Sequence, residues 1–250
     1  MVARVCGARA IPHAVLNVEV PSGNLQAEAR AARYAALAGW AERKGLGAVA
    51  TAHHADDQAE TLLMRLNRGS GLGGLAGVRA QRALEDNRPL IRPLLGWRKA
   101  ELEAVCAAAG VEPVCDPSNE NVAFDRVRLR RELAAADWLH VPAIAHSAAH
   151  LADAEEALNE WLELRWQEDV EREEEALRYR PQGPRYVRLK LLARAIGWFG
   201  GEARGSQVAH LLDRLERGEG GNLAGVQVEV TGAEWMLRRE NARNPVAPPE

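Results

Sequence analysis

Short apolar runs rich in β-branched residues alternate with helix-patterned segments over the first 110 residues. The predicted elements are strands at 13–18, 46–52 and 90–95, and helices at 24–44 and 55–67. Pro93 confines the third run to an edge or to the end of a strand. Because strands joined by helices of this length usually run parallel, the pattern predicts an α/β fold with a partial doubly wound parallel sheet.

The pattern changes beyond residue 122, where only helices are predicted until a breaker at Pro181–Pro184. Strict alternation in Val226–Val230 then predicts a half-buried strand, with residues 235–239 as its hairpin partner. This last part indicates a small α+β module. We therefore divide the chain into an α/β domain at 1–133, a helical linker at 134–184, a module at 185–242 and a disordered tail at 243–250.

Composition excludes several classes of protein. The net charge of −3 and the pI of about 6.2 exclude a strongly basic chain, although not a local basic patch. The three cysteines, Cys6, Cys106 and Cys115, form no C-x-x-C pair, which argues against a disulfide framework and a zinc ribbon. No apolar run approaches the roughly 18 residues of a membrane span, and no secretory signal is recognisable. We expect a cytoplasmic protein without a membrane partner.

The densest polar cluster, His53 to Thr61, follows directly after the second predicted strand. Ligands gather beyond the carboxyl ends of strands in parallel α/β sheets. His53, Asp57 and Glu60 have the i, i+4, i+7 spacing that places side chains on one helix face. Such a group can supply a general base, and Asp57 can bind Mg²⁺. The competing interpretation is an acidic first turn that complements the helix dipole, which we favour for Asp56.

Arginines form a second cluster. Four of them within six residues suit phosphate binding, namely Arg126, Arg128, Arg130 and Arg131. A solvated helix face paired to Glu132 explains them equally well. Arg30 and Arg33 are spaced i, i+3 on the first predicted helix, so both point in one direction.

The segment 69–77 contains five glycines in nine residues and invites a phosphate-binding interpretation. It lacks the G-x-x-x-x-G-K-[ST] pattern and follows a helix rather than a strand. We interpret it instead as a flexible loop that covers the site.

Four segments resemble the tRNA(Ile)-lysidine synthase family in their order and spacing. They are NLQAEARAARYAAL (24–37), ATAHHADDQAETLLMRLNRGSGLGGLAGV (50–78), LIRPLLGWRKAELEAVC (90–106) and DPSNENVAFDRVRLR (116–130). The resemblance covers residues 10–133 closely, whereas GNLAGVQVEV (221–230) resembles the family's substrate-binding domain more loosely. It implies an adenine nucleotide alpha hydrolase-like fold, as in the N-type ATP pyrophosphatases, followed by a tRNA-binding module.

The resemblance implies a ligase that uses ATP and Mg²⁺. ATP adenylates the wobble cytidine of tRNA(Ile), and the amine of L-lysine then displaces AMP to give lysidine. Glu60 would deprotonate lysine with help from Asp57, and Arg126 would neutralise the developing phosphate charge. His53 would line the same pocket. The remaining expectations are ATP binding by Arg30, Arg33 and His54, and RNA binding by Arg128, Arg130 and Arg131. Val127 stands where many members of the family have Asn.

One departure from the family is large. Its Ser-Gly-Gly-x-Asp-Ser loop, which cradles the ATP pyrophosphate, occurs nowhere in the 250 residues. Backbone amides of such a loop are the main pyrophosphate ligands. The sequence begins at the expected approach to the family's third strand. We therefore expect an N-terminally truncated lysidine synthase whose remaining strands expose apolar edges.

Two other functions compete with this interpretation. A metal-dependent hydrolase would use the His53–Asp57 cluster and bind a divalent metal without ATP. A non-catalytic remnant would bind tRNA in a salt-dependent manner through the arginine cluster and the last module. Candidate contacts in that module are Arg188, Lys190, Arg194, Arg204 and Arg238. A role in surface solubility explains these residues at least as well.

We expect the purified 250-residue chain to bind ATP weakly and to ligate lysine slowly, because it lacks the backbone amides of the pyrophosphate loop. The measurement is incorporation of labelled lysine into a tRNA(Ile) transcript. Ligation at the rate of a family member that carries the loop would contradict this expectation.

Overall fold

The computed structural model describes residues 1–19, 25–114 and 125–240. The chain divides into two compact units, Met1–Glu155 and Glu156–Glu250. Asn24, at the start of the helix predicted at 24–44, the segment Asp116–Asn119 and the predicted tail lie outside the described residues. Among the residues that are described, no helix is long and apolar enough to cross a membrane.

The first unit contains most of the helices and a small sheet. Its elements are α1 (Val2–Ala8), α2 (Leu25–Arg43), β1 (Val49–Ala50), α3 (Ala55–Asn67), α4 (Leu72–Leu75), β2 (Gln81–Ala83), β3 (Pro89–Ile91), α5 (Lys99–Ala108), α6 (Asp125–Ala135) and the start of α7 (Val141–Asp169). The mixture of helices and strands confirms the predicted α/β class. The predicted helix at 55–67 has the bounds of α3.

The described strands of the first unit form a sheet in the order β1-β3-β2. β1 and β3 run parallel, with Val49 beside Leu90, as the alternation of strands and helices predicts. β2 was not predicted, and it pairs with β3 in the antiparallel sense because a tight turn over 84–88 joins them. Leu90 is fully buried and packs in a cluster with Val49, Leu84 and Ala41 of α2. The sheet is therefore mixed rather than wholly parallel.

The strand predicted at 13–18 is wrong. Residues 11–19 form neither helix nor strand, and Val15 is 76% exposed. A strand is stable only where its backbone groups bond to a neighbouring strand. None of the strands described in the first unit pairs with this segment. An apolar, β-branched composition was therefore not sufficient for a strand.

The second unit is built on an antiparallel sheet in the order β4-β5-β8-β7-β6. Its elements are β4 (Val170–Arg172), β5 (Ala176–Tyr179), α8 (Arg185–Trp198), α9 (Gly205–Glu216), β6 (Gly221–Leu223), β7 (Val226–Thr231) and β8 (Glu234–Arg239). The predicted hairpin of β7 and β8 is confirmed, and Val226 and Val228 are buried while Gln227 and Glu229 are exposed. Apolar residues of α8 and α9 complete the core.

Strands β4 and β5 lie inside the segment 134–184 that was predicted to be a helical linker. β5 is an interior strand, paired with β4 on one side and β8 on the other. The glutamate-rich pattern before β4 continues almost to its first residues, so local spacing did not separate helix from strand. Pairing with the distant strand β8 supplies the interaction that the local pattern lacks. The domain boundaries themselves remain a prediction.

Tyr179 offers a test of packing in the second unit. Its ring packs edge-on against Trp235 with 5.3 Å between centroids, and its hydroxyl is buried without a hydrogen-bond partner among the described residues. Burial also raises the pKa of this phenol. We expect Tyr179→Phe to raise the free energy of unfolding by about 1 kcal/mol, because an unsatisfied buried polar group is removed. Urea denaturation followed by tryptophan fluorescence measures this change.

The control is Leu212→Ala, which empties a fully buried position and lowers the free energy of unfolding by about 2–5 kcal/mol. A loss of stability in Tyr179→Phe would show that the hydroxyl has a partner after all.

Candidate active site

The site lies where β1 ends and α3 begins. The backbone N–H of Thr51 donates to the carbonyl of Ile91 at 3.0 Å, which extends the parallel pairing of β1 and β3 by one residue. Residues 51–54 then leave the sheet, and α3 begins at Ala55. The polar cluster therefore lies beyond the carboxyl ends of two parallel strands, where α/β sheets bind ligands.

A buried carboxylate joins α3 to α6. Glu60 is 2% exposed, yet its oxygens accept hydrogen bonds from two arginines of α6. Nε of Arg126 donates at 2.6 Å, and Nε and Nη2 of Arg130 donate at 2.7 and 3.1 Å. The i, i+4 spacing of the arginines places both guanidinium groups on the face that packs against α3. The hydrogen bond to Glu60 raises the pKa of Arg130.

Asp57 completes this group of charges. Its Oδ1 accepts from Nη2 of Arg126 at 3.0 Å, so one guanidinium bridges two carboxylates of α3. Its Oδ2 accepts from the backbone N–H of His54 at 3.0 Å, the contact of a helix cap. Asp57 thus both caps α3 and binds Arg126. Two acids and two guanidiniums balance in charge, as a buried cluster requires.

His53 is held neutral beside this cluster. Its Nδ1 lies 3.0 Å from Oγ1 of Thr51. Burial lowers the pKa of the imidazole; Asp57 opposes that effect, and the positive charges of Arg92, Arg30 and Arg126 reinforce it. At neutral pH the ring therefore carries no charge and can accept or donate a hydrogen bond.

Asp56 has a structural role in joining α3 to α5. Its carboxylate accepts from Nε and Nη2 of Arg98 and from the backbone N–H of Lys99, at 2.7–3.2 Å. Burial opposes its ionisation, but these hydrogen bonds outweigh burial and lower the pKa of Asp56. Asp56 lies in the first turn of α3, as predicted, and it also caps the neighbouring helix α5. Its partner Arg98 was not singled out from the sequence.

The three residues predicted to bind ATP lie in different places. The guanidinium of Arg30 lies 5.0 Å from the ring centroid of Tyr34. Arg33 lines a cavity of about 530 Å³ together with residues 12–14 and neighbouring residues of α2. In the described ranges, neither arginine hydrogen-bonds to the α3 carboxylates. The ring of His54 lies between Asp56 and Asp57, 3.5–3.6 Å from an oxygen of each.

The arginines predicted to bind RNA also separate. Arg130 faces inward onto Glu60, whereas Arg128 is exposed and pairs with Asp125. Arg131 is exposed as well. The i, i+4 relation to Arg126 was the sequence signal that could have indicated the inward position of Arg130. RNA binding by the three arginines stays a prediction.

The glycine segment is fastened to α3 rather than loose. Gln58 exchanges two hydrogen bonds with the backbone of Val78, at 2.6 and 2.8 Å. Arg65 donates to the carbonyls of Gly74 and Gly77. Gly77 has φ of +65°, and a Cβ there would lie 2.6 Å from Oε1 of Gln58, so the close approach requires glycine. The segment, which contains α4, was predicted to be flexible and is instead held by two side-chain hydrogen bonds to its own carbonyls and two to the adjacent Val78.

Asp57 was predicted to bind Mg²⁺. No group of three His, Cys, Asp or Glu side chains in residues 1–19, 25–114 and 125–240 could hold a metal ion. Both oxygens of Asp57 accept hydrogen bonds, one of them from the guanidinium of Arg126. Because Mg²⁺ is commonly bound by one or two carboxylates together with substrate phosphates, the metal role of Asp57 stays a prediction.

Comparisons with a family model and with individual proteins point to the same family. A family model described as a PP-loop domain matches residues 1–136. The tRNA(Ile)-lysidine synthase of Novosphingobium aromaticivorans is 45% identical over 245 residues, which cover 96% of this chain and 75% of that protein. The tRNA(Ile)-lysidine synthase of Zymomonas mobilis is 36% identical, and the match covers 97% of this chain and 76% of that protein. The tRNA(Ile)-lysidine synthase of Ruegeria pomeroyi is 37% identical, and the match covers 96% of this chain and 60% of that protein.

The contact between Glu60 and Arg130 can be measured by a double-mutant cycle. We expect Arg130→Met to lower the free energy of unfolding by about 1–2 kcal/mol, because it removes charge-assisted hydrogen bonds from a buried carboxylate. Combined with Glu60→Gln, the coupling energy is about 1 kcal/mol, limited by the partial exposure of the arginine. Denaturant unfolding of the four proteins gives the cycle.

Arg128→Met is the matched control, since it removes the same charge from an exposed position of the same helix and changes stability by about 0.5 kcal/mol or less. A coupling energy of zero between Glu60 and Arg130 would contradict the contact.

Proposed function

This chain belongs to the tRNA(Ile)-lysidine synthase family, and from that premise we propose that it joins L-lysine to the wobble cytidine of tRNA(Ile). The chain is a carbon–nitrogen ligase with a PP-loop domain that uses ATP. In the first step, the carbonyl oxygen of the cytidine attacks the α-phosphate of ATP, and pyrophosphate leaves. In the second step, an amine of lysine attacks the activated carbon, the bond to AMP breaks, and one proton leaves the amine.

The observation that carries this proposal is the cluster of Asp57, Glu60, Arg126 and Arg130. It lies beyond the parallel strands β1 and β3 and within the residues that the PP-loop model matches. Adenylation needs positive charge close to a phosphate, and lysine transfer needs a proton acceptor. The cluster offers both kinds of group, brought together from segments more than 60 residues apart in the chain.

Arg126 supplies the positive charge in the first step. Its side chain is 41% exposed, so part of the guanidinium can face a ligand while the rest bonds to Asp57 and Glu60. A guanidinium held by two carboxylates needs little reorganisation when charge develops on a phosphate oxygen. This anchoring supports a role for Arg126 in stabilising the adenylation step.

Glu60 and Asp57 are the proton acceptors available to the second step. Oδ1 of Asp57 accepts from Arg126, and the two oxygens of Glu60 accept from both Arg126 and Arg130. Arg126 stays anchored between the two carboxylates while its exposed part faces the phosphate. We assign deprotonation of the lysine amine to Glu60, with Asp57 assisting, and the proton passes to a carboxylate oxygen.

The test is a single-turnover assay with the 250-residue chain in excess over a tRNA(Ile) transcript, labelled lysine and ATP. We expect slow, ATP-dependent incorporation into the transcript with a wobble cytidine, and none when uridine replaces it. Arg126→Met lowers the rate by about 100-fold or more, since it removes a preorganised positive charge. Arg88→Met, which removes an arginine that pairs with Asp86 and that belongs to no predicted binding site, is the control and changes the rate by about twofold or less.

Two results would overturn the proposal. The first is equal incorporation into both transcripts. The second is salt-dependent binding of the transcript that ATP does not alter, with no incorporation at any enzyme concentration, which would identify a non-catalytic tRNA-binding protein.

A further inference from the structure

Arg92 is a buried cation without an acidic partner among the described residues. Only 4% of the residue is exposed. Nη1 donates to the backbone carbonyl of Arg79 at 2.6 Å, and within residues 1–19, 25–114 and 125–240 Nε has no hydrogen-bond partner. No carboxylate of the described residues lies within ion-pair distance of its guanidinium. Burial of a charge is unfavourable unless the charge is paired, so this side chain indicates a missing negative partner.

The position of Arg92 places it at the ligand-binding edge of the sheet. It follows β3 directly, and the parallel register that pairs Val49 with Leu90 places Arg92 beside Thr51. Thr51 lies two residues beyond Val49, and Arg92 lies two residues beyond its partner Leu90. Because side chains two residues apart on a strand share a face, Thr51 and Arg92 lie on the same side of the sheet. Thr51 in turn contacts His53. The unpaired cation therefore lies at the edge where the two parallel strands end.

Among the described residues, no acid of the site is left over to pair with Arg92. Asp57 and Glu60 are matched by Arg126 and Arg130. Asp56 is matched by Arg98. The acids next to this edge thus have partners already, and Arg92 adds one positive charge to a cluster that is otherwise balanced.

The electrostatics of His53 agree with this position. The groups that act on its pKa, besides burial, are Asp57 as the one acid and Arg92, Arg30 and Arg126 as cations. Arg92 comes first among those cations. An anionic ligand bound to Arg92 would reduce the effect of that cation on the imidazole.

We propose that Arg92 binds a phosphoryl oxygen of a substrate at the carboxyl edge of β1 and β3. The proposal rests on the proposed function, which brings two phosphate-bearing substrates to this edge. The oxygen comes from ATP or from the tRNA backbone, and both present the same chemistry to a guanidinium. Such a ligand supplies the negative charge that the described residues do not.

A purely structural role predicts a different outcome. Arg65 provides the example, since it bonds to the carbonyls of Gly74 and Gly77 and fastens the glycine segment. If the bond from Arg92 to Arg79 has the same purpose, loss of the side chain destabilises the unliganded chain. If Arg92 is held for a ligand, removing the unpaired buried charge does not lower stability, and only ligand binding suffers.

The experiment compares the full chain with Arg92→Met, Arg92→Lys and Arg88→Met. Arg88 is the matched control, because it belongs to the same hairpin but already pairs with Asp86. Equilibrium dialysis with labelled ATP, labelled pyrophosphate and labelled lysine, together with filter binding of tRNA(Ile), measures each affinity. We expect Arg92→Met to weaken the binding of ATP and pyrophosphate, or the binding of tRNA, by about 10-fold or more. Arg92→Lys keeps the charge and lowers the same affinity by about threefold or less. Arg88→Met changes each affinity by about twofold or less.

Which affinity falls identifies the source of the phosphate. A fall for ATP and pyrophosphate assigns the oxygen to the nucleotide, and a fall for tRNA alone assigns it to the RNA backbone. The melting temperature of Arg92→Met without ligand is expected to equal or exceed that of the wild-type chain. A lower melting temperature with unchanged affinities, or a fall for lysine alone, would overturn the proposal.

A second measurement separates this proposal from the proposed function. In the wild-type chain, saturating pyrophosphate, or tRNA(Ile) where the first experiment assigns the oxygen to RNA, is expected to raise the pKa of His53, followed by NMR, because the phosphate offsets the charge of Arg92. In Arg92→Met the same ligand no longer moves this pKa. This result stands even for a chain that ligates no lysine. An equal ligand-induced shift in both proteins would contradict the assignment.

Discussion

The contact on which the first unit's site depends is the pair of guanidiniums from α6 that closes over the buried carboxylate of Glu60. Without these hydrogen bonds an ionised glutamate that is 2% exposed would be strongly unfavourable, and α3 and α6 would lose their polar connection. The same contact fixes Arg126 beside Asp57. One interaction therefore stabilises the helix pair and also arranges the charges that the proposed chemistry requires.

Helices could be predicted from the sequence more fully than strands. Apolar spacing and flanking loops located α3 to the residue, since a helix satisfies its backbone within one segment. Strands depend on partners elsewhere in the chain. Residues 13–18 have the composition of a strand but no partner among the described residues, whereas β5 has two partners and no clear local pattern. Local sequence carries no information about which partner is within reach.

The candidate site could be predicted in part. One helix face was predicted for His53, Asp57 and Glu60; the two acids lie on α3, whereas His53 precedes the helix. The structure brings Arg126 to both acids. The inward orientation of Arg130 and the isolation of Arg92 were not recognised. A single sequence shows that an arginine is charged, but not whether an acid lies opposite it after folding. That depends on the register of β1 and β3 and on the packing of α6.

The attachment of the glycine segment to α3 has a consequence for how relatives of this chain can vary in length. Gln58 and Arg65 form hydrogen bonds with backbone atoms of residues 74, 77 and 78. An inserted or deleted residue there would therefore break these bonds or displace α3, the helix that carries the acids. The turn at 84–88, at the opposite end of the hairpin, has no comparable link to α3. Evolutionary insertions are therefore expected to accumulate in that turn, while the glycine segment keeps a constant length.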